Sequence, residues 1–207
     1  MKKLLIFDYD GVIVDSLDVM VKVVNKLLKK CNFKRKLLKE EVAAIFDVNF
    51  SEGIKKLGID EKEIKKHSYV DKDFIKYRHE IKPFEGIIEV IKRLSQKNTV
   101  IIVSSNISEV VEDFLKENEL EACVKEVIGI KKEPSKVKKI EYCKGKYGMD
   151  NESIFYIGDT KGDMIEGKKA GVKTVAVTWG FHNKNKLQKE NPDFIVETPE
   201  ELLELFL

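Results

Sequence analysis

The chain has 207 residues, 43% of them apolar, enough for one medium-sized domain, or a core with a smaller insertion, to bury its own interior. Its 38 Lys and Arg residues nearly balance 36 Asp and Glu residues, so the net charge of +2 gives no support for nucleic-acid binding. Three widely spaced cysteines form no CxxC pair, which argues against a zinc site and favours reduced thiols in a cytoplasmic protein. Asp8 stops the first apolar run too early for a signal peptide or a membrane span, so we expect no membrane partner.

Short apolar runs alternate with helical patterns through most of the chain. The predicted strands are Leu4–Phe7, Thr99–Val103, Cys123–Ile128, Ile154–Ile157 and Thr174–Val177. The predicted helices are Ile87–Leu94, Val110–Leu115, Val137–Tyr147 and Asp163–Ala170. This alternation predicts an α/β fold, a doubly wound, Rossmann-like parallel sheet with helices on both faces.

Residues 16–81 interrupt the alternation, because they contain no strand-like run. An amphipathic helix is predicted from Leu17 to Cys31 by its apolar spacing. Further helical patterns lie at Val42–Phe46, after the capping-box pair Asp60 and Glu63, and from Phe74 to Ile81. We therefore expect a core formed by residues 1–15 and 82–207, with 16–81 inserted as an all-helical domain.

Four aspartates follow two of the predicted strands. Asp8 and Asp10 come after the first strand, and Asp159 and Asp163 come after the strand at Ile154–Ile157. Because the carboxyl ends of parallel strands meet at one crevice, we expect the two pairs to face each other. Two unit charges about 4 Å apart repel by about 4 kcal/mol at an effective dielectric constant of ~20. The cluster must therefore take up protons or hold a hard cation, for which Mg²⁺ is the natural candidate.

Two segments carry a family resemblance, Asp8–Ser16 (DYDGVIVDS) and Gly158–Asp163 (GDTKGD). They resemble the first and last motifs of the haloacid dehalogenase-like hydrolases. The resemblance covers nearly the whole chain, since a central strand ending in serine and a helical insertion in the place of the C1 cap also match. The tail from Ala170 to Gly180 resembles the phosphoglycolate phosphatase-like branch. The resemblance implies a hydrolase core with 16–81 as its helical cap.

Phosphate chemistry assigns roles to the first two acids. A nucleophile that attacks a phosphate monoester must be ionised at neutral pH, and a carboxylate with a reference pKa of about 3.9 is ionised without activation. Asp8, directly at the strand end, is the predicted nucleophile and forms an aspartyl-phosphate. Asp10, two residues on, is the predicted general acid that protonates the leaving alkoxide and the general base that deprotonates water.

The predicted metal ligands are Asp8, Asp10, Asp159 and Asp163. Asp159 is the direct Mg²⁺ ligand beside Asp8, and the resemblance implies that Asp10 contributes its backbone carbonyl. Asp163 is either a second ligand or a group that orients a metal-bound water. An alternative role for Asp163 is that of a first-turn helix residue favoured by the helix dipole.

The resemblance also implies a serine or threonine at the end of a second central strand, as a donor to the phosphate. Ser104 and Ser105 both follow Thr99–Val103, and we favour Ser104 because it lies directly at the strand end. Ser105 with Asn106 matches the Thr-Asn pair of many relatives, and Asn106 is an additional candidate donor.

A lysine that neutralises the nucleophile and the phosphate is implied as well. The candidates are Lys131, Lys132 and Lys136, and we favour Lys136 because it begins a predicted helix at the distance from Gly158 that the family shows. The three histidines share no ligand spacing, so we expect them on the surface or in helix packing.

The combined pattern predicts a Mg²⁺-dependent phosphatase that acts on a small phosphorylated metabolite, with phosphoglycolate suggested only by analogy. Asp10 argues against dehalogenases and phosphonoacetaldehyde hydrolases, which lack an acid at its position. A sugar phosphomutase of the same superfamily keeps this acid and stays an alternative. A receiver-like signalling module that accepts phosphate on aspartate is an alternative of another class, and the helical insertion argues against it. We expect a monomer or a homodimer.

Overall fold

The computed structural model describes residues 2–67 and 75–207. The chain divides into two compact units, one of Met1–Val14 with Pro83–Leu207 and the other of Asp15–Lys82. We call these the sheet unit and the helical unit. Among the helices that the structure describes, none is both long and apolar enough to cross a membrane.

The helical unit contains α1 (Leu17–Lys30), α2 (Lys39–Ile45), α3 (Phe50–Lys55) and α4 (Glu61–His67). Most of the stripe predicted for α1 is buried, with Val24 and Leu28 almost fully inaccessible. Helix α3 was missed, because its six residues are too few to show a period, although Asn49 caps it by accepting from the Glu52 N–H at 3.0 Å. The helical continuation expected through Ile81 is wrong at that end, since Arg78–Glu80 forms a 3₁₀ turn and Ile81 is extended. Phe74 lies outside the described residues.

Six parallel strands form the sheet of the sheet unit. They are β1 (Leu4–Phe7), β4 (Thr99–Val103), β5 (Val124–Ile128), β6 (Ile154–Gly158), β7 (Lys173–Val177) and β8 (Phe194–Val196), in the spatial order β5-β4-β1-β6-β7-β8. The short β2 (Val14–Asp15) and β3 (Lys82–Pro83) pair separately. The predicted doubly wound parallel sheet is confirmed, with β8 added at one edge. The direction of winding reverses between β1 and β6, which places a topological switch point at their carboxyl ends.

The strand register aligns the polar residues that follow these strands. Phe7 pairs with Ile102 on one side and with Ile157 on the other. Asp8 is therefore level with Val103 and Gly158, and Ser104 and Asp159 each come one residue further along. All residues of β1, β4 and β6 are buried, so the polar residues begin abruptly at the edge of the sheet.

Six helices complete the sheet unit: α5 (Ile87–Ser95), α6 (Ser108–Glu117), α7 (Lys136–Tyr147), α8 (Lys161–Lys169), α9 (Lys184–Gln188) and α10 (Glu201–Phe206). Helix α8 begins two residues before the predicted start at Asp163, because Thr160 is its N-cap and Asp163 completes a capping box. Helix α7 begins at Lys136 after the N-cap Ser135. These two helix starts bring their first-turn side chains to the carboxyl ends of the central strands.

Candidate active site

Three of the four aspartates form one buried cluster at the ends of β1 and β6. Carboxylate oxygens of Asp8, Asp159 and Asp163 lie within 4.8 Å of one another, and the three residues are at most 5% exposed. Asp10 is half-buried in the turn after Asp8, and its negative charge contributes to raising the pKa of Asp8. The side chain of Asp10 is not part of the three-carboxylate cluster.

Glycines create the space that Asp159 occupies. Gly11 has a φ of +78°, and a Cβ there would lie 2.0 Å from Asp159 Oδ2. A Cβ on Gly180, in the segment after β7, would lie 2.3 Å from the same oxygen and 2.3 Å from the Gly11 carbonyl oxygen. The loop after β1 and the segment after β7 therefore close around the Asp159 carboxylate.

Lys136 connects the acids of the two strand ends. Its Nζ lies 2.7 Å from Asp8 Oδ2 and 2.6 Å from Asp163 Oδ1, and its side chain is only 12% exposed. Burial opposes the charge of this ammonium, but the two carboxylates outweigh it and raise the pKa of Lys136 well above its ordinary value. The ammonium is therefore fixed at full charge beside the candidate nucleophile.

The other two candidate lysines lie elsewhere. Lys131 forms an exposed ion pair with Glu109 at 2.8 Å. Lys132 forms one with Glu126 at 2.5 Å. The structure thus brings Lys136 to Asp8, and places the side chains of its two rivals against surface carboxylates.

Asp163 has a protein donor for each of its lone-pair positions. Its Oδ1 accepts from Lys136 and, at 2.9 Å, from the Tyr156 hydroxyl. Its Oδ2 accepts from the Thr160 N–H at 3.0 Å and from the Thr160 hydroxyl at 2.5 Å. Burial would raise the pKa of Asp163, but Lys136 and these hydrogen bonds lower it below its ordinary value. Because a carboxylate offers about four acceptor positions, Asp163 is suited to anchoring Lys136 and α8.

Asp8 and Asp159 are in the opposite electrostatic state. Burial raises the pKa of Asp8 to about 7, against the attraction of Lys136. Burial also raises the pKa of Asp159 well above its ordinary value, and the charges of Asp163 and Asp8 raise it further. Asp159 Oδ2 accepts from the Phe181 N–H at 2.7 Å, whereas its Oδ1 is buried and accepts no hydrogen bond from the part of the chain described.

These oxygens fit a hard divalent cation. The donor set consists of carboxylate oxygens, which Mg²⁺ prefers, and the unpartnered buried Oδ1 of Asp159 is the kind of atom that a cation would satisfy. Asp8 and Asp159 are the side chains that could hold it. The hydrogen bonds of Asp163 favour an indirect role for that residue.

The candidate phosphate donors lie at the end of β4. Ser104 is fully buried, and its Oγ accepts from the Asn106 N–H at 2.9 Å. Asn106 is also buried, and its Oδ1 accepts from the Ile107 N–H at 3.0 Å. Ser105 is exposed. Ser104 is therefore fixed at the sheet edge level with the acidic cluster, while its hydroxyl hydrogen stays available for donation.

Several contacts of the site were missed in the sequence analysis. Thr160 with Asp163 has the T-x-x-D spacing of a capping box, so this pair could have been predicted from the sequence. His182, expected on the surface or in helix packing, is buried, and its Nδ1 accepts from the N–H of Lys161 in the first turn of α8. The Tyr156 hydroxyl and the Phe181 N–H have no sequence signal, because a strand tyrosine and a backbone amide look the same at many positions.

A buried acid cluster with a lysine, at the switch point of a parallel sheet, is the arrangement of an α/β enzyme that reacts at its strand ends. The family model for haloacid dehalogenase-like hydrolases matches residues 5–177, and the chain belongs to this family. The family expected from the two motifs is confirmed.

Curated relatives match over almost the full length. Phosphoglycolate phosphatase of Synechococcus elongatus is 24% identical over 202 residues, covering 97% of this chain and 95% of that protein. Pyrophosphatase PpaX of Anoxybacillus flavithermus is 24% identical over 212 residues, with the same two coverages of 97% and 95%. A haloacid dehalogenase-like hydrolase of Streptococcus pneumoniae, of solved structure, superposes with a TM-score of 0.85 at 22% identity, covering 100% of this chain and 99% of that one.

Proposed function

We propose that the protein is a Mg²⁺-dependent phosphatase that hydrolyses a small phosphorylated metabolite through an aspartyl-phosphate on Asp8. The observation that carries the proposal is the buried carboxylate of Asp8, which has Lys136 beside one of its oxygens. In the same acid cluster, Asp159 Oδ1 accepts no hydrogen bond from the described chain. Similarity to curated phosphatases over 97% of the chain supports it.

Asp8 is oriented for attack before any substrate binds. Its Oδ2 accepts from Lys136, and its Oδ1 accepts from the Tyr9 N–H at 2.8 Å. The carboxylate attacks phosphorus and the bond to the ester oxygen breaks, while Asp10 donates a proton to the departing oxygen. Asp10, now ionised, removes a proton from water, which attacks the aspartyl-phosphate, releases phosphate and regenerates Asp8.

Positive charge is needed because Asp8 and a phosphate monoester repel each other. Lys136 supplies one charge at 2.7 Å from Asp8. Bound Mg²⁺ would offset the remaining repulsion and the charge on the transferring oxygens, held by Asp8, Asp159 and the main-chain carbonyl of Asp10. Ser104 donates its hydroxyl hydrogen to a phosphoryl oxygen.

The substrate is a monoester or a diphosphate of modest size. The relatives named for phosphoglycolate and for pyrophosphate are each 24% identical to this chain, so neither substrate is favoured over the other. Both belong in a panel of phosphorylated metabolites, together with sugar phosphates and a generic aryl phosphate.

The test measures Mg²⁺-dependent phosphate release across this panel by wild type and Asp8→Asn. We expect wild-type turnover of at least one compound and no detectable turnover by Asp8→Asn, because the neutral amide is not a nucleophile. Asp150→Asn is the matched control, since Asp150 is exposed and should keep full activity.

Three outcomes would contradict the proposal. Turnover by Asp8→Asn at the wild-type rate rejects the nucleophile. Stable phosphorylation of Asp8 without turnover, seen by intact-mass spectrometry after an acid quench, favours the signalling module. An isomerised sugar phosphate with no free phosphate favours the phosphomutase.

A further inference from the structure

A second lysine of α7 is buried beside the site and has no assigned role. Lys139 lies one turn after Lys136 and is 0% exposed. Burial, together with the charge of Lys136, lowers the pKa of Lys139 to about 8 against the attraction of Asp8. An apolar side chain would fill this position at a smaller desolvation cost. The buried ammonium therefore points to a role that an apolar side chain could not supply.

The contact of Lys139 identifies what it does to the neighbouring strand end. Its Nζ donates to the carbonyl oxygen of Ser104, the strand-end serine. The Ser104 N–H donates to the Ile128 carbonyl at 3.1 Å, and the Ser104 Oγ accepts from Asn106. The N–H, the carbonyl oxygen and the Oγ of Ser104 are therefore all held, and its hydroxyl hydrogen stays available for donation.

The planar peptide bond between Ser104 and Ser105 also fixes the direction of the Ser105 N–H. In a trans peptide the C=O and the following N–H point in opposite directions, and no cis peptide bond occurs among the residues whose backbone is described. Since the Ser104 carbonyl is directed at Lys139 on α7, the Ser105 N–H is directed away from α7. Rotation of this peptide would break the contact with Lys139 and leave a buried ammonium without its acceptor.

We propose that Lys139 is a positioning residue for phosphate binding, which holds the Ser104–Ser105 peptide so that the Ser104 hydroxyl and the Ser105 N–H both face a phosphoryl oxygen. The inference rests on the proposed phosphatase function. The two lysines of α7 then divide the work: Lys136 acts on Asp8 directly, and Lys139 acts through the main chain.

The test compares Lys139→Met with Lys138→Met, which removes an exposed charge from the same helix. Binding of inorganic phosphate in the presence of Mg²⁺ is measured by calorimetry, together with kcat, KM, the Mg²⁺ concentration for half-activation and the melting temperature. We expect Lys139→Met to weaken phosphate binding by about tenfold or more, the effect of losing an oriented hydrogen bond to a charged group. The half-activating Mg²⁺ concentration should stay at the wild-type value, and Lys138→Met should match wild type throughout.

Lys139→Gln provides the second variant, because the amide keeps a donor for the Ser104 carbonyl without the charge. We expect its phosphate affinity to lie between those of wild type and Lys139→Met, and it decides the question if the Met variant does not fold. Wild-type phosphate affinity in Lys139→Met overturns the positioning role, and so does wild-type affinity in Lys139→Gln where the Met variant does not fold. So does a parallel loss of phosphate affinity, Mg²⁺ activation and melting temperature, which would assign Lys139 to stability alone.

The same experiment separates this role from the proposed function. A wild-type protein that turns over no phosphate compound and binds no phosphate overturns both. An active wild type with an unaffected Lys139→Met variant overturns the role of Lys139 alone. An inactive wild type that binds phosphate rejects the phosphatase, and the affinity of Lys139→Met then decides the positioning role by the same criterion.

Discussion

The strand ends of β1 and β6 and the first turn of α8 hold their carboxylates in different states. At the strand ends, Asp8 and Asp159 are buried with raised pKa values, and Asp159 keeps an oxygen without a hydrogen-bond donor from the described chain. In the first turn of α8, Asp163 accepts four hydrogen bonds and has a lowered pKa. The fold thus gives the acid that organises the site a donor for every lone-pair position. It leaves Asp8 and Asp159, which would react or hold a cation, with raised pKa values, and it leaves Asp159 Oδ1 without a donor from the described chain.

The largest expected effect is that of Asp159→Asn, and comparing it with the effect of Asp163→Asn tests whether the two acids differ in role. Asp159→Asn removes the negative charge of a proposed Mg²⁺ ligand and should lower kcat/KM by about 10³-fold, while raising the Mg²⁺ concentration for half-activation. Asp163→Asn keeps an acceptor oxygen but loses the charge that anchors Lys136, and should cost about 10- to 100-fold in kcat/KM, like the loss of other supporting groups. Steady-state rates over a Mg²⁺ titration measure both.

The inferred difference between the two acids is contradicted if the Mg²⁺ concentration for half-activation shifts equally in Asp159→Asn and Asp163→Asn. Asp163 would then be a direct ligand, despite its four protein donors. Asp150→Asn serves again as the exposed control, and its Mg²⁺ titration should overlay that of wild type.

A smaller effect is expected from crowding the Asp159 carboxylate. A methyl group in Gly180→Ala would lie 2.3 Å from both Asp159 Oδ2 and the Gly11 carbonyl oxygen, so the loops around Asp159 must move. A displacement of about 1 Å at a reacting site costs on the order of 10²-fold in rate, and we expect a loss of this size in kcat/KM. Kinetics and thermal unfolding of the same preparation check it.

Gly145→Ala is the matched control for this variant. Gly145 lies inside α7, and a Cβ there meets nothing within 4 Å. This change should raise the free energy of unfolding by about 0.5–1 kcal/mol and leave activity unchanged. Full activity in Gly180→Ala would show that the position of Asp159 is not under the steric control inferred here.

The strand ends were easier to predict from the sequence than the helix starts. Asp8 and Asp159 each follow an uninterrupted apolar run, and a parallel sheet brings such positions to one edge, so the pattern locates them directly. Lys131, Lys132 and Lys136 lie in one short polar segment whose path has no periodicity, and three-dimensional contacts were needed to see which one reaches Asp8.

The elements that were missed are short. β8 has three residues, and α3 and α9 have six and five, which is less than two helical turns each. Lys139 was missed for a different reason. A lysine in the middle of a lysine-rich helix is normally solvated, and its burial against the Ser104 carbonyl depends on how α7 packs on the sheet.

The smallest effect expected is the release of at least about one proton when Mg²⁺ binds near pH 6, and it tests the comparison most directly. The raised pKa of about 7 means that Asp8 in metal-free protein is largely protonated at that pH, and the pKa of Asp159 is raised in the same direction by burial and by the charges of Asp163 and Asp8. Binding needs the ionised oxygens, so protons leave. Asp163, with its lowered pKa, is already ionised and contributes none. Calorimetric titrations of chelator-treated protein in buffers of different ionisation enthalpy count the protons.

The same pKa values fix the sign of the pH dependence of stability. A carboxyl whose pKa is raised on folding costs no stability at pH values below its pKa in the unfolded chain, about 4. The cost grows as the pH rises from there to the pKa in the folded protein, which is about 7 for Asp8. Metal-free protein should therefore lose stability from about pH 4 to about pH 7, while the favourable contribution of Asp163 is lost only as the pH falls towards the acid range. Mg²⁺ should raise the melting temperature more near pH 8 than near pH 5. If Mg²⁺ binds without releasing protons, and stabilises equally at both pH values, then Asp8 and Asp159 are already ionised and do not differ from Asp163 in the way that their surroundings imply.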